Sequence, residues 1–278
     1  MTGGQPDSSS ATPALRPLSP ENENNLRRIL NEGLSRPVGL DVWTRQHSGL
    51  VLPDRDPCDH CEEQLALMRQ FVRIHPLLSI TAYDIERHAT RAAEMGVDLT
   101  PATVMRSGGR SVQFVGMSDG TLLRPCVDVM AYLSAGASPI NDGPREVLAT
   151  ITEAVHLELL VAPYDQFSGA LIRLLGAMAA EFRMLRLRII DATEYPLFAA
   201  QRGVTEVPVL TIEGRRFVGS WNENALAEQI RRIATGDAEL VPRGEAETVP
   251  FMTEQAARAE AEGAAPSTPG GLYIPGRD

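Results

Sequence analysis

The chain has 278 residues, with 36 acidic against 26 basic side chains and a net charge of −10 at pH 7. An acidic chain without clustered Arg or Lys disfavours a nucleic-acid partner, because phosphate neutralisation needs such clusters. No apolar run is long enough to span a membrane, and the Ser-, Pro-, Gly- and Asn-rich start lacks the basic and apolar regions of a signal peptide. A cytoplasmic, reducing location is therefore expected. There, three cysteines are no secreted disulfide scaffold, and a close pair is catalytic or metal-binding. Hydrophobic residues make up 43 %, enough for two modest cores in a chain of two-domain length.

The first apolar periodicity predicts a helix over Asn24–Leu34, then a strand over Val38–Trp43. A polar, Pro-bearing loop, His47–Pro57, ends at Cys58. Cys61–Ile74 reads as a helix with Leu65, Met68, Phe71 and Val72 on one face, followed by a strand at Leu78–Ile85 and a helix at Glu86–Met95. Strands at Ala102–Met105 and Val112–Val115 flank a hairpin turn at Ser107-Gly108-Gly109, and a helix at Gly120–Leu133 closes the unit. Asn141-Asp142-Gly143-Pro144 marks a boundary. The same order then returns: helix Pro144–Val155, strand His156–Val161, helix Ser168–Arg183, strand Leu185–Ile190, helix Tyr195–Arg202, strands Val209–Ile212 and Arg216–Val218, helix Glu223–Ile233. Residues Gly244–Asp278 read as mostly flexible, with Leu272-Tyr273-Ile274-Pro275 apolar enough to dock.

Two segments make the repetition specific. Gly96-Val97-Asp98-Leu99-Thr100-Pro101 recurs as Gly203-Val204-Thr205-Glu206-Val207-Pro208, and Phe114-Val115-Gly116 recurs as Phe217-Val218-Gly219. Only the first copy carries Cys58-Asp59-His60-Cys61; the matching window, Ala162–Ser168, has no cysteine.

A Cys-x-x-Cys between strand and helix, with Thr100-Pro101 forty residues after Cys61 and then strand, glycine turn, strand and helix, resembles the thioredoxin/glutaredoxin fold. The duplication resembles the tandem glutaredoxin-like protein disulfide oxidoreductases, and is similar to the N-terminal region of the alkyl hydroperoxide reductase flavoprotein. The resemblance implies an α/β protein of two tandem thioredoxin-like folds, each a central mixed sheet flanked by helices. Residues 1–23 would then be a disordered N-terminal segment, 24–142 a thioredoxin-like domain with the dithiol, 143–236 a degenerate one without cysteines, and 237–278 a flexible tail. It also implies a cis peptide bond before Pro101, facing the dithiol, with Thr100 offering backbone groups to an extended substrate; Val207-Pro208 matches the same place. The departure is in the second copy, where such proteins often keep a dithiol. That copy is expected to be structural or to dock substrate.

Thiol–disulfide exchange needs an exposed thiolate and a second thiol to resolve the mixed disulfide. Cys58, just ahead of a helix whose first amides are unpaired, is assigned as nucleophile, and the better shielded Cys61 as resolver. His60 and Asp59 tune the thiolate with opposite signs. The expected activity is reduction or exchange of disulfides in protein or small-thiol substrates, with no bound cofactor and electrons from a flavoprotein reductase or glutathione; a peroxiredoxin is a further candidate partner. The alternative is a non-catalytic docking or adaptor protein on the same frame. A zinc site would need about four ligands, and Cys126, His47, His75, His88 and His156 show no paired spacing. Cys126 reads as a small buried helix residue, Trp43 as core, Trp221 as a cap on the second proline loop, and Asp41 as a surface carboxylate.

Overall fold

The computed structural model describes residues 18–45, 58–237 and 239–263. In the first copy the elements are α1 (Pro20–Gly33), β1 (Val38–Thr44), α2 (Cys61–Ile74), β2 (Leu78–Asp84), α3 (Ala89–Glu94), β3 (Ala102–Ser107), β4 (Arg110–Val115) and α4 (Gly120–Ala135). The second copy follows as α5 (Asp142–Ala149), β5 (Val155–Val161), α6 (Ser168–Glu181), β6 (Leu185–Asp191), α7 (Pro196–Gln201), β7 (Glu206–Val207), β8 (Val209–Ile212), β9 (Arg215–Val218) and α8 (Glu223–Ala234). Beyond it lie β10 (Val249–Pro250) and α9 (Glu254–Gly263).

The two sheets are one. Their order is β2-β1-β3-β4-β6-β5-β8-β9, and the join is a parallel pairing of β4 with β6 that sets Val112 opposite Leu187 and Val115 opposite Ile190. Within each copy one strand pairing is parallel and two are antiparallel, so the sheet is mixed as expected. The two separate cores expected from length and composition are instead a continuous one. Leu40, Phe71, Phe114 and Met130 of the first copy share a cluster with Leu157, Leu175, Leu187 and Leu226 of the second. Edge strands left unpaired would present open backbone groups, and joining β4 to β6 removes two such edges.

Strand periodicity explains how β1 serves both faces. Val38, Leu40 and Val42 enter the shared core, while Trp43 enters a second cluster with Ala102, Val115 and Tyr195 and stacks on Tyr83 at 4.6 Å. Asp41 lies on the Trp43 side of the strand. It is not a surface residue: it is 1 % exposed, and its Oδ1 accepts from Arg106 Nη2 at 2.7 Å. On α2 the fully buried apolar face is Leu67, Met68, Phe71 and Ile74, with Leu65 and Val72 half-buried beside it. Helix α3 starts three residues later than its sequence pattern, because Asp84 Oδ1 accepts from the amides of Glu86 and Arg87 and holds a turn there.

Both terminal expectations need correction. Ser19 caps α1 by accepting from the Asn22 amide, and the Leu18 amide donates to Gln70 Oε1, so structure reaches back to residue 18. The segment after residue 237, read as a flexible tail, forms β10 and α9. His47–Pro57 and Leu272–Pro275 lie outside the described residues.

Candidate active site

The dithiol sits where β1 runs into α2. Cys58 and Cys61 form a disulfide with Cα atoms 5.5 Å apart. Cys61 is the first residue of α2, and its Sγ accepts from the Arg45 amide at 3.1 Å. The N-cap is His60, which makes no capping bond through its side chain, so the first-turn amides and the helix dipole are left to favour negative charge there. The expected open Cys58 is not found. Cys58 is 7 % and Cys61 5 % exposed, nearly equal.

His60 Nε2 lies 3.2 Å from Glu254 Oε2 at the start of α9. Asp59, the other expected tuning residue, is exposed. The Thr100–Pro101 and Val207–Pro208 peptide bonds are both cis. The Pro101 carbonyl accepts from the Gly116 amide at 2.8 Å, as Pro208 does from Gly219 at 2.8 Å. Tyr195 of the second copy adds its hydroxyl to the Pro101 carbonyl at 3.2 Å. Thr100 is buried, and its Oγ1 has no partner among the described residues.

One turn beyond Cys61, buried Gln64 ties this helix to the proline strand. Its Nε2 donates to Thr103 Oγ1 at 2.9 Å and Ser118 Oγ at 3.0 Å, while its Oε1 accepts from the Ser118 amide at 3.1 Å. Thr103 lies two residues past Pro101, so the network sets α2 relative to the Pro101 loop. Nearby, Cys126 is buried on α4 as expected, and burial pushes its thiol up to about 12.

An acidic cavity of about 200 Å³ opens beside His60, lined also by Met117, Asp119, Asp191, Glu194 and Glu254. Burial pushes the Asp191 carboxyl up to about 6, against the Thr193 hydroxyl and amide that donate to it. Burial, then the neighbouring Asp191 charge, holds Glu194 well above its usual range although the Met117 amide donates to it. Asp119 is raised by burial, opposed by the His60 charge. Gln64, Asp191, Glu194 and Glu254 carry no motif, and the sequence reading did not single them out. A larger groove of about 840 Å³, lined by Glu94, Gln113, His156 and Arg188 among others, includes none of the dithiol residues. Among the described residues no cluster of His, Cys, Asp and Glu could hold a metal ion.

The second copy repeats this construction with other chemistry. Ser168 is the first residue of α6, as Cys61 is of α2, and its Oγ accepts from the Ala162 amide at 3.2 Å, as Cys61 Sγ does from Arg45. Three residues earlier stands Asp165, where the first copy has Cys58. Ser168 Oγ donates to Asp165 Oδ2 at 2.5 Å. A hydrogen bond thus stands where the first copy has its disulfide, and that place holds no sulfur.

No protein-family model matches the sequence, and no curated protein matches it. Solved structures do. A protein disulfide oxidoreductase from Aeropyrum pernix is similar at 25 % identity with a TM-score of 0.70, covering 82 % of this chain and 98 % of its own. The alkylhydroperoxide reductase AhpF of Enterococcus faecalis matches at 13 % identity with a TM-score of 0.67, covering 77 % of this chain and 100 % of that one. Its N-terminal tandem domain gives a TM-score of 0.65 over 77 % of this chain and 99 % of that one, also at 13 % identity. The fold is therefore the tandem thioredoxin-like one. With the Cys58–Cys61 disulfide at the head of α2, the chain resembles the disulfide oxidoreductases and is an oxidoreductase.

Proposed function

We propose that this oxidoreductase reduces or exchanges disulfides in protein or low-molecular-weight substrates, using one dithiol per chain. The observation that carries this reading is the Cys58–Cys61 disulfide at the uncapped start of α2. In the reduced enzyme the Cys58 thiolate attacks a substrate disulfide, forming a mixed disulfide and releasing one substrate thiolate. Cys61, as thiolate, then attacks the Cys58 sulfur and releases the second. The substrate gains two electrons, and the Cys58–Cys61 disulfide reforms.

Cys58 is assigned the attacking role because it lies ahead of the helix, whereas Cys61 is fixed at its first turn with its sulfur held by the Arg45 amide. His60 adjusts the thiolate with Glu254 as its ion-pair partner, while Thr100 and Pro101 form the substrate edge. Two electrons must return to the disulfide after each cycle, and a flavoprotein reductase or glutathione is the class of donor that supplies them. A cytoplasmic setting suits a dithiol cycled in this way. Asp165 and Ser168 offer no thiol, so electrons do not pass to a second centre within the chain.

The test is insulin or glutathione-disulfide reduction by wild type and Cys58→Ser. The substitution is expected to lower the rate by about two orders of magnitude or more. Equal rates would sink the enzymatic reading and leave the docking frame.

A further inference from the structure

The second copy's proline groove is not empty. Val249 of β10 pairs antiparallel with Val207, the residue before cis Pro208, and the Phe251 amide donates to the Thr205 carbonyl at 3.0 Å. Side chains at alternate positions enter one apolar cluster: Val249 and Phe251 pack against Leu160, Val204 and Val207. Backbone pairing at a strand edge with pockets for every second side chain is how extended peptides are recognised by added-strand binding. Tyr164, in the loop where the first copy carries its dithiol, bonds through its hydroxyl to the Pro250 and Met252 carbonyls at 3.3 Å, and the Met252 amide donates to it. Gly219 makes room: a Cβ there would lie 2.9 Å from both Ala246 Cβ and Thr248 Cγ2. Upstream the segment is also pinned, by the Val241 amide to Gln229 Oε1 at 2.9 Å and by Arg243, which lies 4.3 Å over the Trp221 ring and donates to the Val218 carbonyl. In the first copy no described strand pairs with Thr100.

We infer that the cysteine-free copy is a peptide-binding module whose ligand is the chain's own segment Glu247–Met252, and that this internal ligand straps α9 across the rim of the dithiol and gates access to it. Two residues after Met252 the chain enters α9, and there Glu254 meets His60, which stands between the two cysteines. Filling the second groove therefore places a carboxylate and a helix at the working site of the first. The Glu254 charge adds to the burial that raises Asp119, Asp191 and Glu194, while its ion-pair partner Arg258 lowers Asp119, so α9 brings a carboxylate, paired with an arginine, to the cavity beside His60. That carboxylate opposes a thiolate at Cys58 and any anionic substrate. Displacing the strap, by an extended peptide with apolar residues at alternate positions, would lift α9 and open Cys58.

The gating inference rests on the oxidoreductase reading but is tested without turnover. Amide exchange at Phe251 and Met252, and the rate at which a water-soluble phosphine reduces the Cys58–Cys61 disulfide, are followed in the full chain. Tyr164→Phe loses the hydroxyl that holds Pro250 and Met252, so both rates are expected to rise, each by about tenfold. Glu254→Ala is expected to speed phosphine reduction while leaving exchange at Phe251 unchanged. Wild-type exchange at the rate of an unstructured peptide would overturn the strap. Faster exchange in Tyr164→Phe without faster reduction would overturn the gate, as would Tyr164→Phe with neither rate changed or Glu254→Ala with reduction unchanged. A failed insulin assay strikes the oxidoreductase reading alone, since neither readout here needs a catalytic cycle.

Discussion

At the head of α2 the first copy holds a disulfide; at the head of α6 the second holds a Ser168–Asp165 hydrogen bond with the same three-residue spacing and the same amide donated from the end of the preceding strand. The difference continues beneath. Gln64, one turn into α2, corresponds to Leu171 in α6; Thr103, two residues past Pro101, corresponds to Leu210; Ser118, two past Gly116, corresponds to Trp221. The first copy thus supports its dithiol on a buried polar network, whereas the second packs apolar side chains at the same places. A polar network fixes geometry through directional bonds, at the risk of orphaned groups if one member is lost. Apolar packing is more forgiving and suits a copy that has no sulfur chemistry to align. Cys126 on α4, whose thiol bonds Ser118, corresponds to Gln229 on α8, which holds the Val241 amide upstream of the strap.

The largest effect expected from breaking this contrast is at Gln64. Gln64→Leu gives the first copy the second copy's residue, but leaves Thr103 Oγ1 and the Ser118 hydroxyl and amide buried with a lost partner. A cost of about 2–4 kcal/mol is expected in urea unfolding. The double variant with Thr103→Val should cost less than the sum of the two singles, because it removes one of the orphans. Strict additivity would mean that Gln64 and Thr103 are not coupled.

The second test compares the buried carboxylates that the second copy lends to the first copy's rim. Below about pH 4 Asp191 is protonated both folded and unfolded. Between its ordinary 3.8 and its folded value of about 6, the unfolded chain ionises first, so the folded state loses stability as pH rises. Asp191→Asn should accordingly stabilise the protein by about 2–3 kcal/mol above pH 6 and not at all below about pH 4. Melting temperatures from pH 4 to 8 check this; a gain that is the same at both ends would mean that ionisation is not its cause.

The smallest effect is at Ser168. Ser168→Ala deprives Asp165 Oδ2 and the Ala162 amide of a partner and should cost about 1–2 kcal/mol, read as a lower urea midpoint. A midpoint unchanged from wild type would show that the Ser–Asp bond does not hold this loop.

Much of the fold was legible in the sequence because both copies keep strong local signals. Apolar periodicity placed α2 on Cys61–Ile74 and β8 on Val209–Ile212 as found, and the repeated Gly-Val-x-x-x-Pro located both proline loops. Less of the site was legible. The dithiol declares itself by residue type and spacing, but Asp165 and Ser168 are common residues that gain meaning only through superposition on Cys58 and Cys61. Asp41 was misjudged because an aspartate in a strand pattern reads as an outward position, whereas here it alternates onto a face that is also covered. The 237–263 region was misjudged because its low apolar content hides a segment that recognises its groove mainly through backbone groups, which every sequence shares.

The sequence by itself determined the duplication, the order of elements within each copy and the single place where sulfur chemistry can occur, since these follow from local periodicity and residue identity. Tertiary structure alone decided that the two sheets are one, that the second copy's Tyr195, Asp191 and Glu194 reach the first copy's rim, and that the segment Val249–Phe251 lies in the second groove. Those are contacts between residues distant along the chain, made by backbone edges and burial rather than by residue type, so no local pattern encodes them.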